Sequence, residues 1–210
     1  MAGPDGAEAV GVREIPTPLG PARVHVSPVD SPGGTLVLGH GAGGGVEAGD
    51  LRQAVAAARA LGWTTVRVEQ PYRVAGRRVS PAPARLDEGW LAVLAALEPH
   101  GPVVVGGRSA GARVACRTAL RAGARAVLCL AFPLHPPGRP DRSRAPELAG
   151  AGVPAVVVQG ERDPFGGPAD LRALALPMVE VIPAPGGHSL AAATEQIRSA
   201  VDRVISVAVP

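Results

Sequence analysis

The chain has 210 residues, within the range of one compact domain, with 46% hydrophobic residues, 2% aromatics, a formal net charge of +3 and a pI near 9.6. No stretch approaches the roughly 20 uninterrupted apolar residues of a membrane span. Every basic residue is an arginine, spread along the chain rather than run together, and so few aromatics leave little to stack on bases, so neither a membrane nor a nucleic-acid partner is expected.

The first residues, MAGPDGAEAVGVREIP, lack the basic start and apolar run of a secretion signal, so the sequence predicts a cytoplasmic protein. Residues 12–29 carry two short extended runs around Pro18, Gly20 and Pro21, the pattern of an antiparallel hairpin at a sheet edge, where proline is tolerated. Apolar, β-branched runs then recur at 35–39, 64–69, 102–107, 126–132, 154–160 and 179–183. Their continuous hydrophobicity, in place of strict alternation, is that of parallel strands covered on both faces.

Helical patterns fill the gaps at 50–61, 85–98, 110–122, a short piece near 145–150, 169–176 and 189–207. In the last of these, Leu190, Ile197, Val201, Val204 and Ile205 repeat at helical spacing and form one apolar stripe. No internal repeat and no linker interrupts the alternation, which predicts a single α/β domain over residues 1–210: a mostly parallel central sheet with helices on both faces. Cys116 and Cys129 fall in a predicted helix and a predicted core strand, where a thiol acts as a small apolar group, and no disulfide is expected.

The strongest chemical signal is Gly107-Arg108-Ser109-Ala110-Gly111, a G-x-S-x-G set directly after a strand and before a helix. A sharp strand-to-helix turn there holds the serine in a strained conformation with its hydroxyl above the sheet; a glycine-rich connection with a chance serine is the rival reading. A serine hydroxyl needs a base, and His188, in PAPGGHSL after the last strand, is placed to supply one. A surface histidine capping the final helix is its alternative.

A carboxylate must orient the imidazole and stabilise its cation. Asp163, at the end of PAVVVQGERD, is the candidate, with Glu161 as its neighbour and rival and a plain N-capping aspartate as the alternative role. Two backbone N–H groups should form the oxyanion hole: that of Ala110, next to the serine, and that of Ala42 in the glycine-rich turn His40-Gly41-Ala42-Gly43-Gly44-Gly45. No Gly-Lys-Ser/Thr follows that turn and the chain has no lysine, which excludes a nucleotide P-loop. The five histidines show no paired metal-ligand spacing, so no metal and no cofactor is expected.

HGAGGG, GGRSAG, GERDPFG and GGHSL, in that order, make the chain similar to the α/β-hydrolase superfamily over essentially its whole length. EQPYRVAGRR at 69–78 and FPLHPPGRP at 132–140 further resemble the small, lidless group that includes bacterial hydrolase-like proteins and the testis-expressed and chromatin-complex relatives of animals. Dienelactone hydrolases are a more distant likeness, and their nucleophile is a cysteine where this chain has Ser109. The resemblance implies Ser109, Asp163 and His188 as a triad, in that chain order.

The stretch from Pro133 to about Pro154, where larger hydrolases insert a lid, has room only for a loop and a short helix. An open site favours short acyl esters or thioesters over long-chain lipids. Candidate pocket residues are His40, Gly41, Tyr72, Arg108, Phe132 and His135. Arg108, Tyr72, Arg73, Arg77 and Arg78 either receive an anionic substrate group or brace loops through backbone carbonyls; Phe132 and His135 either line an acyl pocket or support their loop. The expected function is a serine hydrolase for small-molecule esters or thioesters, with an acyl-enzyme on Ser109. The alternatives are an acyltransferase using the same residues and a hydrolase-shaped interaction module without turnover.

Overall fold

In the computed structural model the described residues are 11–209, so residues 1–10 and 210 of the predicted domain, and most of the segment read for a secretion signal, lie outside them. The strands are β1 (Gly11–Ile15), β2 (Ala22–Ser27), β3 (Thr35–Gly39), β4 (Thr64–Glu69), β5 (Val103–Arg108), β6 (Ala126–Leu130), β7 (Ala155–Gly160) and β8 (Val179–Ala184). They form one eight-stranded sheet in the order β1-β2-β4-β3-β5-β6-β7-β8. From β4 to β8 every pair is parallel; β1 and β2 form the expected antiparallel hairpin on one edge.

Five of the six apolar runs became inner strands because both of their faces are covered. The run at 179–183, expected to be buried like the others, is the edge strand β8, in which only Ala184 is buried because no further strand covers its outer side. Every residue of β3, β6 and β7 is buried. The helices α1 (Gly49–Ala60), α3 (Pro83–Ala96), α4 (Ala110–Thr118) and α7 (Thr194–Ala208) do the covering. Leu51, Ala54 and Ala58 of α1 and Ile197, Val201 and Val204 of α7 pack with Leu36, Leu38, Leu128 and Val158 on one face. On the other, Trp90 of α3 and Val114 and Ala115 of α4 pack with Val37, Val105 and Val127.

Between β6 and β7 stand only a loop and the five-residue α5 (Ala145–Ala149), so no lid is built at this point of the fold. Two further short helices, α2 (Pro71–Val74) and α6 (Pro168–Arg172), follow β4 and β7. The sequence reading missed α2, whose four residues are too few to display a helical period, and placed the start of α7 five residues early. Leu190 belongs to the buried stripe as expected, but it sits in a turn with φ +49°, and the helix begins only at Thr194. No helix among the described residues is long and apolar enough to cross a membrane.

Candidate active site

The carboxyl ends of parallel strands are where open α/β sheets assemble their sites, because loops from successive strands converge there. Here four such loops carry the singled-out residues: His40–Gly45 after β3, Ser109 after β5, Asp163 after β7 and His188 after β8.

Ser109 has φ +54° and ψ −110°, a region non-glycine residues avoid. Two bonds pin it there: its N–H donates to the Leu130 carbonyl at 2.9 Å, and its carbonyl accepts from the Arg113 N–H of α4 at 3.2 Å. The flanking glycines are needed for space. A Cβ on either Gly107 or Gly111 would collide with the Gly39 carbonyl oxygen, so only a G-x-S-x-G lets β3 and the elbow pack this closely.

The Ser109 hydroxyl lies 2.9 Å from Nε2 of His188, and Nδ1 of the same ring lies 2.8 Å from Oδ2 of Asp163. A carboxylate oxygen can only accept, so Nδ1 carries the proton and Nε2 offers its lone pair to the serine. Asp163 is itself held. Its Oδ1 accepts from the Phe165 N–H at 2.9 Å, and its Oδ2 also accepts from Nε2 of the buried Gln159 at 3.0 Å. Phe165 packs on the imidazole, with ring centres 4.4 Å apart. Glu161, the rival carboxylate, is exposed, and Asp170 accepts from the Gly167 N–H at the start of α6.

His188 sits in a turn rather than on the cap of α7. Its carbonyl accepts from Arg108 Nη2 at 3.3 Å, while Arg108 Nε donates to Oδ2 of the buried Asp50 at 2.8 Å. Arg108 therefore ties the elbow, the histidine loop and the first turn of α1 together, making the backbone-carbonyl brace that was one of its two expected roles. Burial pushes the Asp50 carboxyl above its ordinary range, with the Arg108 cation opposing the shift.

The turn after β3 is held just as tightly. Nε2 of His40 accepts from the Gln70 N–H at 3.1 Å, so its proton is on Nδ1, which donates to the Gly41 carbonyl at 2.8 Å. The Tyr72 hydroxyl donates to the Ala42 carbonyl at 3.0 Å, and the Gly44 N–H reaches the Gly41 carbonyl at 3.2 Å. Because the Gly41–Ala42 peptide is planar and trans, fixing that carbonyl also fixes the Ala42 N–H in the opposite direction. Gly41 lies against the elbow, where a Cβ would come 2.9 Å from Arg108 Nη1 and 3.5 Å from the Ser109 Cβ.

A cavity of about 350 Å³ opens over Ser109 and His188. Ala42 and Ala110, the two candidate oxyanion donors, line it together with Phe165 and Arg108. Other pocket expectations need correction. His40 and Tyr72 are buried behind the turn they hold, and Phe132 is fully buried in the core. His135 supports its loop through the Phe165 and Pro136 carbonyls. Arg73, Arg77 and Arg78 do not reach the cavity; its wall instead includes Arg113 and Arg144, which the sequence reading passed over. A wider cleft of about 730 Å³, lined by Ser27, Glu47, Arg52 and Arg67, contains none of the Ser109, His188 and Asp163 set.

The family model described as the alpha/beta hydrolase domain matches residues 32–208. The chain belongs to this family. Among solved structures it is similar to an α/β serine hydrolase without lid from Xanthomonas campestris, with TM-score 0.76 and 20% identity over 100% of this chain and 99% of that one. An α/β serine hydrolase homologue from Coxiella burnetii gives 0.75 and 19% over 92% and 96%. The thioesterase domain from the curacin biosynthetic pathway gives 0.71 and 14% over 92% and 99%. At these identities the likeness is one of fold. Comparison with curated protein sequences finds no match.

Proposed function

We propose that this α/β hydrolase cleaves short-chain carboxylic esters or thioesters through an acyl-enzyme on Ser109. The observation that carries the reading is the unbroken hydrogen-bonded line from the Ser109 hydroxyl through His188 to Asp163, at 2.9 and 2.8 Å. Ser109 Oγ attacks the acyl carbon as His188 Nε2 takes its proton, and Asp163 stabilises the imidazolium. The Ala42 and Ala110 N–H groups receive the developing oxyanion, a contribution of roughly 3 kcal/mol per donor in enzymes of this design. The imidazolium then protonates the departing alcohol or thiol, and water repeats the attack on the acyl-enzyme with His188 again as base. The short β6–β7 connection, which builds no lid among the described residues, and the modest cavity support small acyl groups.

The test is labelling with a fluorophosphonate beside Ser109→Ala, followed by turnover of p-nitrophenyl esters of increasing chain length. Wild type should label and the variant should not, with kcat falling about 10⁴-fold or more in the variant and activity highest on the shortest chains. A folded wild type that neither labels nor turns over any ester would overturn the reading and leave an interaction module.

A further inference from the structure

Three arginines and no carboxylate stand in the wall of the cavity over Ser109. Two of the three have acidic partners. Arg108 donates to Asp50, and Arg113 donates to both oxygens of Glu147 at 2.7 and 2.6 Å. Glu147 also accepts from Arg117 at 2.9 Å, so its charge is already shared.

Arg144 differs. Its Nη1 donates to the Pro133 carbonyl at 3.0 Å, and its backbone N–H to the Leu134 carbonyl at 2.7 Å, which fixes the residue beside the cavity. No carboxylate pairs with it among the described residues. Burial and the neighbouring Arg113 cation both work against its charged form, and Glu147 offsets this only in part. An arginine keeps its charge nonetheless, so the wall holds one cation without a counter-ion, partly out of water and in the same cavity as the nucleophile.

We infer that this cavity selects esters or thioesters that carry a second, anionic group, a carboxylate, which Arg144 receives while the reacting carbonyl lies at Ser109. One unpaired guanidinium with free N–H groups matches one carboxylate in charge and in fork geometry. The inference rests on the proposed hydrolase reading for its reaction. The carboxylate can sit on the acyl chain or on the leaving group, since both pass through the cavity.

Two matched substrate pairs separate those sources. p-Nitrophenyl hemiglutarate against p-nitrophenyl pentanoate places the charge on the acyl side; S-butyryl-3-mercaptopropionate against S-propyl thiobutyrate places it on the leaving side. In one pair kcat/KM should favour the anionic member by about tenfold or more at low salt, as expected for a charge-assisted hydrogen bond. The ratio should shrink at high salt and fall toward one in Arg144→Gln. Arg142→Gln, an exposed arginine of the same loop, should keep it.

Ratios near one for both pairs in the wild type, or a ratio that survives Arg144→Gln, overturn the inference. If no ester is turned over at all, the hydrolase reading falls, and binding still decides the role of Arg144. Glutaric acid mono-4-nitroanilide, whose amide resists cleavage, should then raise the Tm of the wild type and not that of Arg144→Gln; no rise in the wild type overturns it.

Discussion

Two histidines stand at the same end of the sheet, each in a glycine-rich turn after a parallel strand, and each with both ring nitrogens engaged. His188 lies between a carboxylate and a hydroxyl, with its side chain 18% exposed, while His40 lies between a backbone N–H and a backbone carbonyl at 3% exposure. The partners separate their chemistry. A proton gained at Nε2 of His188 would be stabilised through Asp163, whereas a proton at Nε2 of His40 would face the Gln70 N–H and break that bond. Burial accordingly lowers the His40 pKa below its ordinary 6.5, and the ring stays a neutral brace for the Gly41–Ala42 peptide.

Substituting each histidine alike is the sharpest way to break that distinction. His188→Gln should lower kcat on a p-nitrophenyl ester by roughly 10⁶-fold, the scale seen when a triad base is removed. His40→Gln should act mainly on stability, costing about 1–3 kcal/mol for the buried groups left unpaired, with a far smaller loss of turnover from a loosened Ala42 N–H. Steady-state kinetics and urea unfolding on both variants measure the pair. Comparable kinetic losses would mean that His40, too, takes part in proton transfer.

Asp163→Asn comes next in size. The amide cannot hold the Nδ1 proton as a carboxylate does, and its own donors would meet the Gln159 amide, so the imidazole should settle in the wrong tautomer. The expected loss in kcat is about 10⁴-fold with the fold intact by circular dichroism. Glu161→Gln, only two residues away but exposed and outside the hydrogen-bonded line, should change kcat less than twofold. A large effect at Glu161 would reverse the assignment of the third residue.

That choice between two nearby carboxylates shows where sequence reasoning reaches and where it stops. The inner strands were legible because continuous burial writes itself as a continuous apolar run, and the elbow because the close approach of Gly39 forces glycines at fixed offsets from Ser109; the edge strand β8 carries a similar apolar run without that burial. Other parts of the site left no local mark. Asp50 and Arg108 are 58 residues apart and meet only through the sheet order. Gln159 reads as one more residue of a core strand until its amide is seen on Asp163, and Arg113 and Arg144 look like ordinary helical and loop arginines. Tyr72 and Phe132 are read from their nearness to the site motifs in the chain, the first for an anionic group and the second for an acyl pocket, but the hydroxyl of the first holds a backbone carbonyl and the ring of the second fills the core.

The smallest expected effect also tests the brace directly, through pH. A histidine with a lowered folded-state pKa binds its proton more tightly in the unfolded chain, so its contribution is complete above about pH 6.5 and is lost as pH falls through the folded value. His40 is the more deeply buried case; His25, lowered first by burial and then by the Arg67 cation, acts in the same direction. Glu147, held below its ordinary 4.5 by its arginine partners against the effect of burial, titrates under the range between pH 5 and 6.5, while Asp50, raised by burial, gains stability on protonation and opposes the two histidines in part. Urea unfolding of the wild type across that range should lose stability with acidification, by at most about 1.4 kcal/mol per pH unit for each histidine involved. His40→Gln should be less stable at pH 8 and flatter below pH 6.5, because the residue that must stay neutral is gone. An unchanged slope in that variant would mean that His40 accepts a proton in the folded protein, and the contrast with His188 would then rest on partners alone.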